Sequence, residues 1–123
     1  MSFITLTTDF GTKDHFVGAV KGAIYTELAD AKIVDITHQI TPFNITETAY
    51  ILKNAYKSFP EGTIHIIGVD SELSTDNKHI AIALDNHYFV CPDNGIISMI
   101  ASEIQPTKIV EINIHDRVES SFP

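Results

Sequence analysis

The chain is short of cysteine, of basic residues and of long apolar runs. Its single cysteine, Cys91, excludes an internal disulfide and suits a reducing compartment. Lysine and arginine total 8 against 16 aspartates and glutamates, a formal charge of −8. A surface of that sign lacks the basic patch that a phosphate backbone requires, so nucleic acid is not an expected partner. No apolar stretch approaches the roughly 18 residues of a membrane span, and no charged-then-apolar signal opens the chain. A membrane is therefore not an expected partner either, and the expected location is cytoplasmic. Several catalytic signatures are also missing. There is no Gly-x-Ser-x-Gly, no Walker lysine loop and no cysteine pair. The six histidines are His15, His38, His65, His79, His87 and His115. They show no His-x-His or His-x3-His spacing, so no metal site is expected. His65 and His87 read as ordinary strand residues. Cys91 reads as a small buried apolar residue, because no activating partner can be named for it.

What is present is a globular composition. The 123 residues are 44% apolar and 20% charged, enough for one domain with one core. The spacing predicts a strand over 3–8 and a helix over about 14–28, with Phe16, Val17, Val20, Ala23, Ile24 and Leu28 as its apolar stripe. Gly18 and Gly22 lie one turn apart on that helix, and a close approach of its backbone to a sheet would explain them. A second strand is expected over 32–36. Asn44 and Glu47 have the spacing of a capping box, opening a helix with Ile45, Ala49, Leu52, Ala55 and Tyr56 on its apolar side. That helix should stop before Pro60. A third strand is expected over 63–69, a hairpin of 79–84 and 87–91 around Asp85-Asn86, a short helix over 95–103 and a last strand over 108–112. Strands alternating with helices at this spacing predict an α/β fold: a mostly parallel sheet flanked by helices, with an added antiparallel hairpin. Ser120 to Pro123 follow without an obvious closing element, so the chain is expected to be one domain, 1–123, of a larger protein.

The polar residues that invite a function sit after strands. Asp9 and Asp14 follow the first, Asp70 and Glu72 the third, Asp93 and Asn94 the hairpin. The carboxyl ends of parallel strands share one edge of an α/β sheet, where ligands bind. Asp9 ends an apolar strand just before a glycine turn, with no helix of its own to cap. A carboxylate there is placed to accept two hydrogen bonds from a diol such as a ribose. For Asp93 and Asn94 the simpler reading is turn and cap chemistry. Asp9-Phe10-Gly11 also spells the magnesium motif of protein kinases, but the catalytic loop, glycine-rich loop and strand lysine that should precede it are absent.

Five blocks in order carry a more specific pattern. They are Thr8-Asp9-Phe10-Gly11-x-x-Asp14; Val34-Asp35-Ile36-Thr37-His38-x-Ile40; Thr41-Pro42-Phe43; Phe59-Pro60-Glu61-Gly62-Thr63; and Pro92-Asp93-Asn94-Gly95. Together they resemble the amino-terminal domain of the S-adenosylmethionine hydroxide adenosyltransferases, relatives of the fluorinases and chlorinases. The resemblance implies a two-domain protein with a carboxyl-terminal β-barrel, assembled as a homotrimer with the ligand between subunits. It implies that S-adenosylmethionine is the substrate and that no cofactor is needed. Water attacks the ribose C5′ and methionine leaves, giving adenosine. By position, Asp9 matches the acid that holds the ribose hydroxyls, and Asp14 a contact to the methionine end. Phe43 matches an aromatic on the ribose side, and Asp70 the acid of an Asp–Arg–His set that holds the attacking water. Asn94 joins the expected substrate contacts. The chain departs from the pattern after Asp70, where the family's Arg position is Asn77. The alternative expectation is therefore a module that binds S-adenosylmethionine or adenosine without turnover.

Overall fold

The computed structural model describes residues 3–69, 78–101 and 105–112. Among the described residues the order is β1 (Phe3–Thr8), α1 (Phe16–Glu27), β2 (Lys32–Thr37), α2 (Ile45–Ala55), β3 (Ile64–Gly68), β4 (His79–Leu84), β5 (His87–Pro92), α3 (Ile96–Ala101) and β6 (Lys108–Ile112). The strands form one sheet in the order β2-β1-β3-β5-β4-β6. β1 pairs in parallel with β2 and β3, and β3 with β5. β4 alone runs against its neighbours β5 and β6. This is the mostly parallel sheet with an added hairpin that the strand spacing predicts. The growth of the sheet reverses at β1, which lies between β2 and β3; such a switch point is where open α/β sheets bind ligands.

Each face is covered by different helices. On one face Ile67, Val69, Ile82, Leu84, Phe89 and Cys91 meet Ala49, Leu52 and Tyr56 and, from α3, Ile96 and Ile100. Leu52 is wholly buried, which stabilises by roughly 1.5–3 kcal/mol. On the other face Ile4, Leu6 and Ala31 meet Val20 and Ile24. The hairpin turn is set by Asp85 and Asn86, both at positive φ (51° and 64°), as a two-residue turn that follows the strand twist requires. Asn44 caps α2 as expected, its Oδ1 accepting the Glu47 N–H at 2.9 Å. The return arm of the box differs. Glu47 Oε1 takes the Thr41 N–H at 2.9 Å, tying the cap to the preceding loop.

α1 departs from its expected packing. No residue of it is fully buried, and Phe16 and Leu28 are exposed. Gly18 and Gly22 do not serve a close approach to the sheet: an added Cβ at either would meet nothing within 4 Å. The hairpin side of the same face is also open, with Tyr88 and Val110 exposed. Cys91 is buried, and burial, then the charge of Asp93, pushes its thiol up to about 12, which makes it a packing residue and a poor nucleophile.

The two strand histidines are more than ordinary sheet residues. His65 is fully buried and hydrogen-bonds Thr5 Oγ1 through Nδ1 at 2.7 Å and His87 Nδ1 through Nε2 at 3.1 Å. Tyr56, Phe59 and Phe89 surround the His65 ring. Tyr56 donates its hydroxyl to Asp85 Oδ2 at 2.9 Å. The cluster sits near the amino ends of β3 and β5, away from the edge where ligands are expected.

Candidate functional site

The site is built where β1 ends. Thr8 is the last residue of the strand, and Asp9 N–H then donates to Gly68 O at 3.2 Å, holding the turn against the end of β3. Gly11 continues the turn at φ 73°, a conformation that side chains resist. Its N–H donates to His38 O at 2.7 Å, and Ile40 N–H donates to Thr8 O at 3.3 Å. These bonds stitch the loop after β1 to the loop after β2. The second loop returns to the first at Phe43, whose N–H donates to Asp9 Oδ2 at 3.3 Å. Asp9 is half-buried, while Phe43 is 64% exposed.

Phe43 has φ 65°, in the left-handed region. For a bulky residue this costs on the order of 1–3 kcal/mol and marks a conformation held for a reason. The hydrogen bond to Asp9 and the Ile45 N–H donated to Phe43 O at 3.1 Å hold it there. The exposed ring contributes little packing. Phe43→Gly is therefore expected to leave stability within about 1 kcal/mol of the parent, relief of strain offsetting the added chain freedom of glycine. Adenosine affinity should fall about tenfold if the ring packs on the nucleoside. Denaturant titration and calorimetry measure the two. A loss of several kcal/mol of stability with unchanged affinity would make Phe43 structural.

The other expected residues divide. Asn94 lies at the carboxyl end of β5, on the same edge as Asp9, but its amide is engaged structurally. Nδ2 donates to Val69 O at 3.3 Å and Oδ1 accepts Ile96 N–H at 3.4 Å, so it braces the end of β3 and starts α3. Asp14 is exposed and accepts the Phe16 N–H at 3.1 Å, steadying the entry to α1. Asp70, Glu72 and Asn77 lie outside the described residues. Among the described residues no three His, Cys, Asp or Glu side chains gather as a metal site would need.

A polar chain beside Asp9, to which the sequence pattern assigns no role, runs from buried Thr8 and His38 out to the more exposed Asp35 and Lys21. Thr8 Oγ1 lies 2.7 Å from His38 Nδ1, and His38 Nε2 lies 2.8 Å from Asp35 Oδ1. Lys21 of α1 donates to Asp35 Oδ2 at 2.6 Å. Burial alone would raise the Asp35 carboxyl, but the hydrogen bonds and charges of Lys21 and His38 outweigh it and hold the group below the usual range. The available signal was Asp35 and His38 three apart at the exit of a strand.

The doubly wound topology, with a carboxylate at the switch point, places the chain in the class of open α/β folds, whose ligand sites generally lie at the carboxyl edge of the sheet. Its family follows from comparison. Residues 4–123 match the model of the SAM hydroxide adenosyltransferase N-terminal domain, and the chain belongs to that family. It is 41% identical over 118 residues to the (R)-S-adenosyl-L-methionine hydrolase of Methanocaldococcus jannaschii, covering 92% of this chain and 44% of that protein. A fluorinase of Actinopolyspora mzabensis is more distant, at 22% identity over 94% of this chain and 46% of its own length. A crystal structure of a conserved protein from Thermotoga maritima superposes with a TM-score of 0.84 at 38% identity, covering 89% of this chain and 43% of the other. The chain thus spans under half the length of these relatives.

Proposed function

We propose that this chain forms the nucleoside-holding part of an enzyme that cleaves S-adenosylmethionine into adenosine and methionine. The observation that carries the reading is the Asp9 carboxylate at the switch point, bonded across to the Phe43 loop at 3.3 Å. The 41% identity to a hydrolase of this substrate supports it. Asp9 would accept the ribose hydroxyls and Phe43 would pack beside the sugar. Asp14 would face the methionine end, and Asn94 would hold the β3 terminus in register.

The reaction is a displacement at C5′. A water oxygen forms a bond to C5′ as the C5′–S bond breaks, and the electron pair leaves on sulfur as the neutral thioether of methionine. The water proton passes to a base, the role proposed for Asp70. Attack requires the water in line with the sulfur and shielded from bulk solvent. The chemistry needs no cofactor. The reading extends to a second, carboxyl-terminal domain, a homotrimer that closes the pocket between subunits, and a cytoplasmic setting.

A second reading has its own support. Asn77 stands where the resemblance expects Arg, and an amide lacks the charge that would lower a neighbouring carboxyl. The chain would then belong to a module that holds S-adenosylmethionine or adenosine without turnover. The protein carrying this chain, at its natural length, separates the two. Chromatography should show adenosine and methionine released in equal amounts from S-adenosylmethionine. Calorimetric binding of adenosine without release would favour the module, and neither binding nor release would sink both.

A further inference from the structure

We propose that His38 is a positioning residue: bridging Thr8 and Asp35, it clamps the loop after β1 to the loop after β2 and so sets the Asp9–Phe43 pair. The inference rests on the proposed role of Asp9 toward ribose. The His38 side chain is only 4% exposed, and both ring nitrogens are engaged. A buried imidazole of this kind is costly unless it is fully hydrogen-bonded, and its partners here are the residues that shape the site. Thr8 directly precedes Asp9 and takes the Phe10 N–H on Oγ1 at 3.2 Å, so its hydroxyl fixes the turn that carries the carboxylate. His38 itself precedes the segment that carries Phe43, and its carbonyl anchors Gly11. The path therefore closes on itself: Thr8 to His38 through the ring, His38 to Phe43 along the chain, and Phe43 back to Asp9 through its N–H. Lys21 and Asp35 fix the far end of the ring from α1.

The same three side chains have the connectivity of a hydroxyl nucleophile, a base and an orienting acid. Burial argues against that chemistry. Thr8 is 3% exposed and its oxygen already accepts a backbone N–H, so substrate has no path to it. What remains is geometry, and geometry is consequential because a misplacement of about 1 Å at a reacting site can cost on the order of a hundredfold.

A double-mutant cycle on the natural-length protein tests the clamp, read by calorimetry with adenosine. His38→Ala should raise Kd about tenfold in the parent, yet by less than about twofold in the Asp9→Asn background, because its effect passes through Asp9. His38→Gln, which keeps an acceptor at one end and a donor at the other, should restore most of the affinity. For S-adenosylmethionine turnover, KM should rise with kcat little changed. Should His38→Ala fail to fold, Asp35→Asn carries the cycle, since Asp35 is partly exposed and its change spares the core. It should weaken binding about threefold in the parent and not at all beside Asp9→Asn. Equal factors in both backgrounds would overturn the clamp while leaving the Asp9 reading intact. Full affinity in Asp9→Asn alone would overturn the ribose role, and the clamp with it. Loss of all turnover with intact adenosine binding in Thr8→Val would replace the clamp by a nucleophile.

Discussion

Asp9→Asn is expected to weaken adenosine binding by about 1.5–3 kcal/mol, the usual worth of a hydrogen bond to a charged group. The carboxylate offers acceptors only, and two hydroxyls of a ribose are donors matched to it. In the variant, the amide oxygen can keep the Phe43 N–H now held at 3.3 Å, which leaves an NH2 group to meet the hydroxyls. The fold should survive, because the backbone bond from Asp9 N–H to Gly68 O does not involve the side chain. Asp70→Asn should do the reverse: adenosine binding nearly intact and hydrolysis abolished, because its proposed partner is the attacking water. Asn77→Arg should raise turnover if a missing cation limits the reaction. Calorimetry with adenosine and chromatography of released adenosine measure these on the natural-length protein. Asp9→Asn binding adenosine as tightly as the parent would remove the ribose assignment.

The place of Asp9 at the carboxyl edge of the sheet was legible from its local sequence. An acid at the end of an apolar strand, before a glycine turn, satisfies no apolar periodicity, and the sheet topology puts it at the switch point. The strands and the hairpin turn were legible for related reasons, since alternation and the Asp85-Asn86 pair are local signals. α1 was not. Its apolar residues specify a helix but not how deeply it packs, and its glycines face open space instead of the sheet. Half of the Asn44–Glu47 box was missed because the Glu47 carboxylate had a second donor within reach, the Thr41 N–H, which only the loop path brings near. Asn94 keeps its place on the edge, but its amide is taken up by Val69 and Ile96. The clamp around His38 was illegible for a deeper reason. Thr8 and His38 are 30 residues apart, and only the parallel pairing of β1 with β2 brings their ends together.

The protein should lose stability between pH 6.5 and 4, a loss that begins above the range in which carboxylates ordinarily titrate. Burial, then the proximity of His87, depresses His65 to about 4, and burial also depresses His87 against the opposing charges of Asp85 and Glu61. In the unfolded chain both titrate near 6.5. As the pH falls through that value the unfolded state takes up protons that the folded state refuses, so the balance moves toward unfolding. The stabilisation is complete above pH 6.5 and gone near 4, with a limiting slope of about 1.4 kcal/mol per pH unit for one group and a total of roughly 3 kcal/mol from His65. Asp35 works in the same sense but at lower pH, because its carboxyl lies below the usual range. The hydrogen bond between the rings sharpens the effect: Nε2 of His65 and Nδ1 of His87 are 3.1 Å apart, and two protonated rings cannot both face that contact. Urea denaturation at pH 7, 6 and 5 should therefore show midpoints that fall steadily without a change in m. His65→Gln can keep a donor and an acceptor near the site but does not titrate, so it should be less stable at pH 7 and flatter between 7 and 5. Equal pH dependence in the parent and His65→Gln would mean that the acid sensitivity lies elsewhere.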